Sequence, residues 1–242
     1  MLRKFFALVL CLSVFLCPAL VYGESTDNVQ DVLYDFFEVF RDSYDRVQDY
    51  SAVLNKEEFL NGQWKKEKLE IRFKKPFMVR IKALSGGLKD SELVFVEGAY
   101  NNKILFKLGG IANKIIPAIP VDPNSSIAKG STGDTIRDAG IGRMMEKILS
   151  VVELAKKNND LSLTLLERKE NDKCFGKNVL KIDRVVPPGK GYASNRLIVY
   201  VDEELGLPIG ADRYNEKNEL IGKYFYENLK VNEGIKDNVF KL

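Results

Sequence analysis

Residues 195–240 read NRLIVYVDEELGLPIGADRYNEKNELIGKYFYENLKVNEGIKDNVF, and this stretch decides the fold class. In its first segment Leu197, Val199 and Val201 fall on one face, and Ile198 and Tyr200 on the other. A Gly206-Leu207-Pro208 break follows, then Ile209 to Tyr214, a polar turn at Asn215 to Asn218, and a long strand holding Tyr224, Phe225 and Tyr226. Alternation at period two, bounded by Gly, Pro and Asn, predicts three antiparallel strands. Pro208 cannot donate to a ladder, so it belongs at a strand's first residue or on an edge.

Working back towards the N-terminus, the same pattern recurs. Asn178 to Val186 and Leu161 to Lys169 read as strands, as do Tyr50 to Phe59 and Trp64 to Lys74, which are joined by the hairpin signal Asn61-Gly62. On the latter, Leu69, Ile71 and Phe73 oppose Lys68, Glu70 and Arg72. Lys75-Pro76 breaks the run, and Phe77, Val79 and Ile81 resume it with Arg80 and Lys82 opposite. Ser85-Gly86-Gly87 is a turn, followed by strands at Glu92 to Glu97 and Lys103 to Leu108. Two helices complete the set. Val29 to Gln48 carries Val32, Phe36, Val39, Phe40 and Val47 near helical spacing. Ile136 to Lys157 follows Thr135, a cap with Asp138 in the acid position of a capping box, although Gly140 and Gly142 weaken its first turns. Residues 109–135, rich in Gly, Pro and Ser, read as loop. The expectation is an α+β fold: a strongly curved antiparallel sheet of about ten strands, an incomplete β-barrel, with helices over its concave face.

The first 23 residues read as a signal peptide: Arg3 and Lys4, an apolar run from Phe5 to Leu16, and Val21-Tyr22-Gly23 as the cleavage site. Neither Cys11 nor Cys17 follows the small residue that lipoprotein processing needs. The expectation is a chain exported to the periplasm and cleaved near Gly23, leaving residues 24–242 as one domain. Cleavage changes the charge balance from 37 basic against 34 acidic residues to 35 against 34. A balance that even argues against nucleic acid as a partner. Cys174 is then the lone thiol, so no intrachain disulfide forms, and it reads as a small buried residue.

Histidine is absent, which removes Ser-His-Asp hydrolysis, Cys-His proteolysis and His-bearing zinc sites. Glu57-Glu58 and Asp202-Glu203-Glu204 are the visible carboxylate clusters, and both read as solvated charge. Adjacent strand residues point to opposite faces, so neither cluster converges on one site. Gly130-Ser131-Thr132-Gly133 lacks the Gly-Lys-Ser/Thr ending of a phosphate loop and reads as a flexible approach to a capped helix. Asn124-Ser125-Ser126 fits a glycosylation sequon and carries little weight. No catalytic residue, metal site or cofactor is expected. What remains is a large apolar strand surface: Leu69, Ile71, Phe73, Phe77, Val79, Ile81, Phe95, Ile104, Phe106, Leu197, Val199 and Phe225. It serves either as an ordinary core filled by the helices or as the lining of a cavity.

The tail resembles the closing strands of the LolA-like periplasmic lipoprotein carriers: acidic residues at Asp202 to Glu204, a Gly206-Leu207-Pro208 step, a turn from Tyr214 to Gly222, and the aromatic strand Tyr224 to Asn228. The segment from Asn232-Glu233-Gly234-Ile235 to Phe240 looks like one bacterial branch of that group known only as a domain of unknown function. The meander around Lys75-Pro76 matches the same group, in which an Arg-Pro at that place helps latch helices over the cavity. Lys keeps the charge and loses the multi-donor fork. The resemblance implies a half-barrel whose concave face takes acyl chains. It points to a non-catalytic periplasmic carrier or sensor for a lipid or lipoprotein, with a lid and latch at Lys75, Ile136, Met144 and Ile148. The alternative is an interaction or envelope-stress sensor domain with a filled core, no lipid cargo and an envelope protein as partner. A carboxylate hydrolase of envelope polymers is the remaining reading, and it needs two carboxyls about 5 to 9.5 Å apart in a cleft.

Overall fold

The structure is a computed structural model that describes residues 26–110, 116–125, 128–129, 135–173 and 175–242, with side chains from residue 30 onward. The expected leader 1–23 with Cys11 and Cys17, residue 126, residues 130–134 and Cys174 lie outside the described residues.

Helix α1 (Thr26–Asp45) leads into strands β1 (Asp49–Leu60), β2 (Gln63–Lys74), β3 (Met78–Ser85), β4 (Glu92–Val96), β5 (Ile104–Lys107) and β6 (Ile119–Val121). A 3-10 turn (Ile136–Asp138) and helix α2 (Ile141–Lys157) follow. The chain then forms β7 (Ser162–Asp172), β8 (Lys177–Val185), β9 (Arg196–Asp202), β10 (Leu207–Tyr214) and β11 (Leu220–Val231). All eleven strands join one open, curved sheet in the order β6-β5-β4-β3-β2-β1-β11-β10-β9-β8-β7. The α+β half-barrel expectation holds, with one more strand than foreseen. That strand, β6, lies inside the segment read as loop and pairs Ile119, Pro120 and Val121 with β5. Three residues containing a proline suit only a sheet edge, and too little periodicity exists there to betray a strand.

Two expectations about the helices need correction. The buried stripe of α1 is Leu33, Phe37 and Phe40, a 4-3 spacing that keeps them on one face. Of the predicted stripe, Phe40 is buried as expected, Val32, Phe36 and Val39 are rotated by a residue, and Val47, also buried, lies beyond the helix end. The helix expected from Ile136 is two pieces. The Thr135–Asp138 capping box closes a single 3-10 turn, after which Gly140 takes φ +100° and α2 starts afresh at Ile141.

The helices pack against each other and against β7 and β10. Edge strand β7 is protected: the Gln30 side chain accepts from the Leu163 amide at 2.8 Å and donates to the Leu163 carbonyl, occupying the place of a further strand. After β11 the chain crosses the outer face of the sheet. Asp49 accepts the amides of Gly234 and Ile235 at 3.1 and 3.2 Å, and Arg80 donates to the Val239 carbonyl at 2.9 Å. Phe240 is buried, as is Val94 on β4. A cavity of about 150 Å³ on this outer face is lined by Glu70, Arg72, Arg80, Lys82 and Glu92, and one of about 450 Å³ lies between Glu70 and Arg72 and the crossing segment at Glu233, Ile235 and Val239.

Candidate functional site

Strand register assembles the concave face row by row. Tyr50, Phe73, Val79 and Phe95 are directly opposite one another across β1 to β4. Ala52, Ile71, Ile81, Leu93 and Phe106 form the next row across β1 to β5. The rings interlock: Tyr50 stacks on Phe73 at 5.1 Å, and Phe77 meets Phe73 at 5.5 Å and Phe95 at 5.9 Å, both edge-on. Leu69, Ile71, Phe73, Phe77, Val79, Ile81, Phe95 and Ile104 thus share one cluster, and Phe106 is in register with its Leu93.

Of the other three predicted lining residues, Phe225 borders this cluster only as a partly buried residue, and two belong elsewhere. Leu197 and Val199 belong to a second cluster, beneath α1 and α2 with Phe37, Phe40, Met145, Ile148 and Leu149. Phe225 lies on the outer face, because its neighbour Tyr226 faces inward and successive strand residues alternate. Its ring packs on Phe175 at 5.6 Å and Tyr200 at 5.1 Å. It also covers Gly210, where a Cβ would stand 2.7 Å from the ring.

The segment around the start of α2 covers the β1–β5 half. Ala128, Ile136, Ala139, Ile141 and Met144 pack on that cluster, and the Arg137 guanidinium sits 5.3 Å from the Phe95 ring centre. Two buried phenols lie under this cover, those of Tyr50 and Tyr226. The Tyr50 oxygen accepts the Ile141 amide at 3.1 Å. That amide opens the first turn of α2, which has no intrahelical partner for it. Burial pushes the Tyr50 phenol well above its ordinary value, and Tyr226 likewise, so both remain neutral. A Cβ at Gly140 would meet the Tyr50 oxygen at 2.3 Å, and one at Gly142 would meet Tyr44 at 2.4 Å. The glycines that weaken the helix in sequence are therefore what lets Tyr50 and Tyr44 approach its backbone. Nothing local in the sequence marks those tyrosines.

Of the predicted lid and latch residues, Ile136 and Met144 are on this cover, while Ile148 is in the helix-covered cluster and Met144 touches both. Lys75 latches α1. Its Nζ donates to the carbonyls of Tyr44 at 2.9 Å and Asp45 at 3.1 Å and lies 4.7 Å from the Tyr44 ring centre. A cation on the last carbonyls of a helix complements its dipole.

The carboxylate clusters are less solvated than expected. Glu57 pairs with Lys66 on the outer side at 3.0 Å, but Glu58 is 2% exposed, bridged to Lys56 at 2.9 Å and accepting from Tyr224 at 2.7 Å. Asp202 is 0% exposed, bonded to Lys177 at 2.8 Å and accepting the Glu204 and Leu205 amides, which shapes the β9–β10 turn. Side-chain partners from distant strands account for both, and sequence spacing cannot show them. The two clusters still diverge, as alternation requires. Among the described residues no group of three or more Cys, Asp or Glu side chains could hold a metal ion.

The fold is shared with solved structures at low identity. The lipoprotein LppX of Mycobacterium tuberculosis matches at 12% identity and a TM-score of 0.50, covering 85% of this chain and 98% of that one. MucB from the MucA/MucB complex of Pseudomonas aeruginosa matches at 14% and 0.49, covering 86% and 60%. This chain therefore spans about three-fifths of that relative. A LolA superfamily protein of Nitrosomonas europaea, NE2245, matches at 9% and 0.34, covering 85% and 97%. No curated protein matches by sequence. What is shared is the fold, an open antiparallel sheet with helices in its concavity. Residues 47–242, from the start of β1 to the last residue of the outer-face crossing, match the family described as protein of unknown function DUF1571, and the chain belongs to that family.

Proposed function

We propose that this protein is an exported, non-catalytic periplasmic binding protein that takes an acyl chain of a lipid or lipoprotein on the β1–β5 half of its concave face. The observation that carries this reading is the unequal cover of the two halves. Over β7–β10 the apolar face is closed by the long sides of two helices. Over β1–β5 it is closed by one 3-10 turn and the tip of α2, held at Ile141 by the Tyr50 phenol. A cover of that size can swing about Ala139-Gly140 without dismantling the helix pair. Each methylene of a chain moved from water onto the exposed face gains about 0.8 kcal/mol, which offsets the loss of the cover's own contacts. LppX, which shares the fold, is described as a lipoprotein, and MucB is seen bound to MucA.

The second reading is a partner-binding sensor domain whose core is simply filled. The complete burial of Ile71, Val79 and Ile104 favours it. Val79→Glu separates the two. If the cover opens, water reaches the new carboxylate, the fold survives and binding of a fluorescent fatty-acid probe is lost. If the face is a permanent core, the wild type binds no probe and the variant melts far lower, because an unpaired buried carboxylate costs several kcal/mol. That second result sinks the acyl-chain reading.

A further inference from the structure

The hairpin of β1 and β2 is the longest pair in the sheet, and its tip stands clear of both neighbours. Pairing of β1 with β11 ends at Glu58 opposite Gly222, and pairing of β2 with β3 reaches only Lys68 opposite Ser85. Beyond them, Phe59 pairs only with Trp64 and Leu60 only with Gln63, closed by Asn61 and Gly62 at φ 51° and 79°. Positive φ at both turn residues marks the tight two-residue turn that keeps a hairpin's twist. The finger therefore extends roughly 10 Å past its last pair with β11, at about 3.4 Å per residue.

Its tip carries an aromatic pair that folding leaves largely exposed. The rings of Phe59 and Trp64 lie side by side, 5.6 Å apart, on the same face of the finger, and are 43% and 40% exposed. Residues 59–66 include Lys65 and Lys66 and no carboxylate; Lys66 pairs with Glu57 at 3.0 Å, but that pair is solvated and contributes little to stability. Leu88, in the β3–β4 turn at the same end of the sheet, is 53% exposed. An aromatic pair in water forfeits its burial, yet this one sits at the tip of the finger, beyond the last pairs with β11 and β3. Indole and phenyl rings flanked by lysines match the interface of an anionic bilayer, where rings settle at headgroup level and cations meet phosphates.

We propose that the Phe59–Trp64 finger is a membrane-docking element that inserts its two rings into the headgroup region of an anionic lipid surface, with Lys65 and Lys66 on the phosphates. The residues differ from those of the concave face, so the finger stands or fails independently of the acyl-chain reading.

Trp64 is the single tryptophan of the chain, so its emission reports on the finger alone. The full chain is titrated with vesicles of phosphatidylcholine and phosphatidylglycerol at three to one and with phosphatidylcholine alone. The expected result is a blue shift and quenching by brominated acyl chains on the anionic vesicles only. Lys65→Glu/Lys66→Glu should weaken the partition monitored by Trp64 by at least about tenfold, since each lysine contributes about 1 kcal/mol near such a surface. Phe59→Ser should reduce the shift while leaving the melting temperature unchanged, which separates lost docking from lost fold. Trp64 emission indifferent to anionic vesicles overturns the proposal, as does equal partition by the charge-reversed variant. A blue shift produced by an envelope protein and by no vesicle reassigns the finger to a protein partner and equally overturns it.

Discussion

The two halves of the concave face use the same kinds of side chain, Leu, Ile, Val and Phe, but are covered differently. Over β7–β10 the helices interdigitate along their length: Phe37 and Phe40 of α1 and Met145, Ile148, Leu149 and Val152 of α2 meet Leu163, Leu180, Ile182 and Val199. Over β1–β5 the sheet supplies nearly all the apolar surface, and the cover contributes a few residues on either side of Gly140. Apolar area alone does not distinguish a core from a binding face. What distinguishes them is how many contacts must break together for the surface to open. In the first half the helices and the sheet would have to separate, and in the second a single short segment would have to move.

Truncation in the helix-covered half is the strongest way to break this contrast. Phe37 is fully buried, and Phe37→Ala should cost about 3–5 kcal/mol in urea unfolding. Fatty-acid probe affinity of the remaining folded protein should be unchanged. A large affinity loss in that variant would mean the two halves act as one. Gly142→Ala attacks the other half by driving a methyl into the Tyr44 ring. It should destabilise by about 1–3 kcal/mol and raise probe uptake by loosening the cover, read by parallel melts and titrations.

Tyr50→Phe sharpens the contrast further. It leaves the Ile141 amide buried without an acceptor, a cost of about 1–3 kcal/mol, and should speed hydrogen exchange at the start of α2 more than at β7. The same phenols set an alkaline limit. Their folded pKa lies above the unfolded value near 10, and burial pushes Tyr44 up to about 12. The stability tied to them is complete below pH 10 and is lost as pH climbs through the folded values. Stability that did not fall above pH 10 would contradict the buried placement of these rings. The smallest effect belongs to Lys75→Met, which removes two hydrogen bonds from the end of α1. It should cost about 1 kcal/mol or less by chemical denaturation, without changing probe affinity.

Most strand positions were legible because period-two alternation and turn residues act locally. Asn61-Gly62 predicts the hairpin that forms, and Ile209 to Tyr214 lies within β10. The face of an all-aromatic run was not legible. In Tyr224-Phe225-Tyr226 each residue is apolar enough to face inward, and it is the pairing with β1 and β10 that sends Phe225 out and Tyr226 in. Leu197 and Val199 likewise satisfy any pattern for a concave lining, but chain topology lays the helices over them.

By itself the sequence determined the fold class, the hairpin registers and the apolar character of one sheet face, because each depends on residues within a few positions of one another. The rest was decided by tertiary structure: Tyr50 bonding Ile141, Tyr224 bonding Glu58, Lys75 on the end of α1, and the division of one apolar face into a sealed half and a half under a small cover. Those features join residues 31 to 166 positions apart. A buried phenol or carboxylate is stable only beside its partner, and only the folded chain brings that partner within reach.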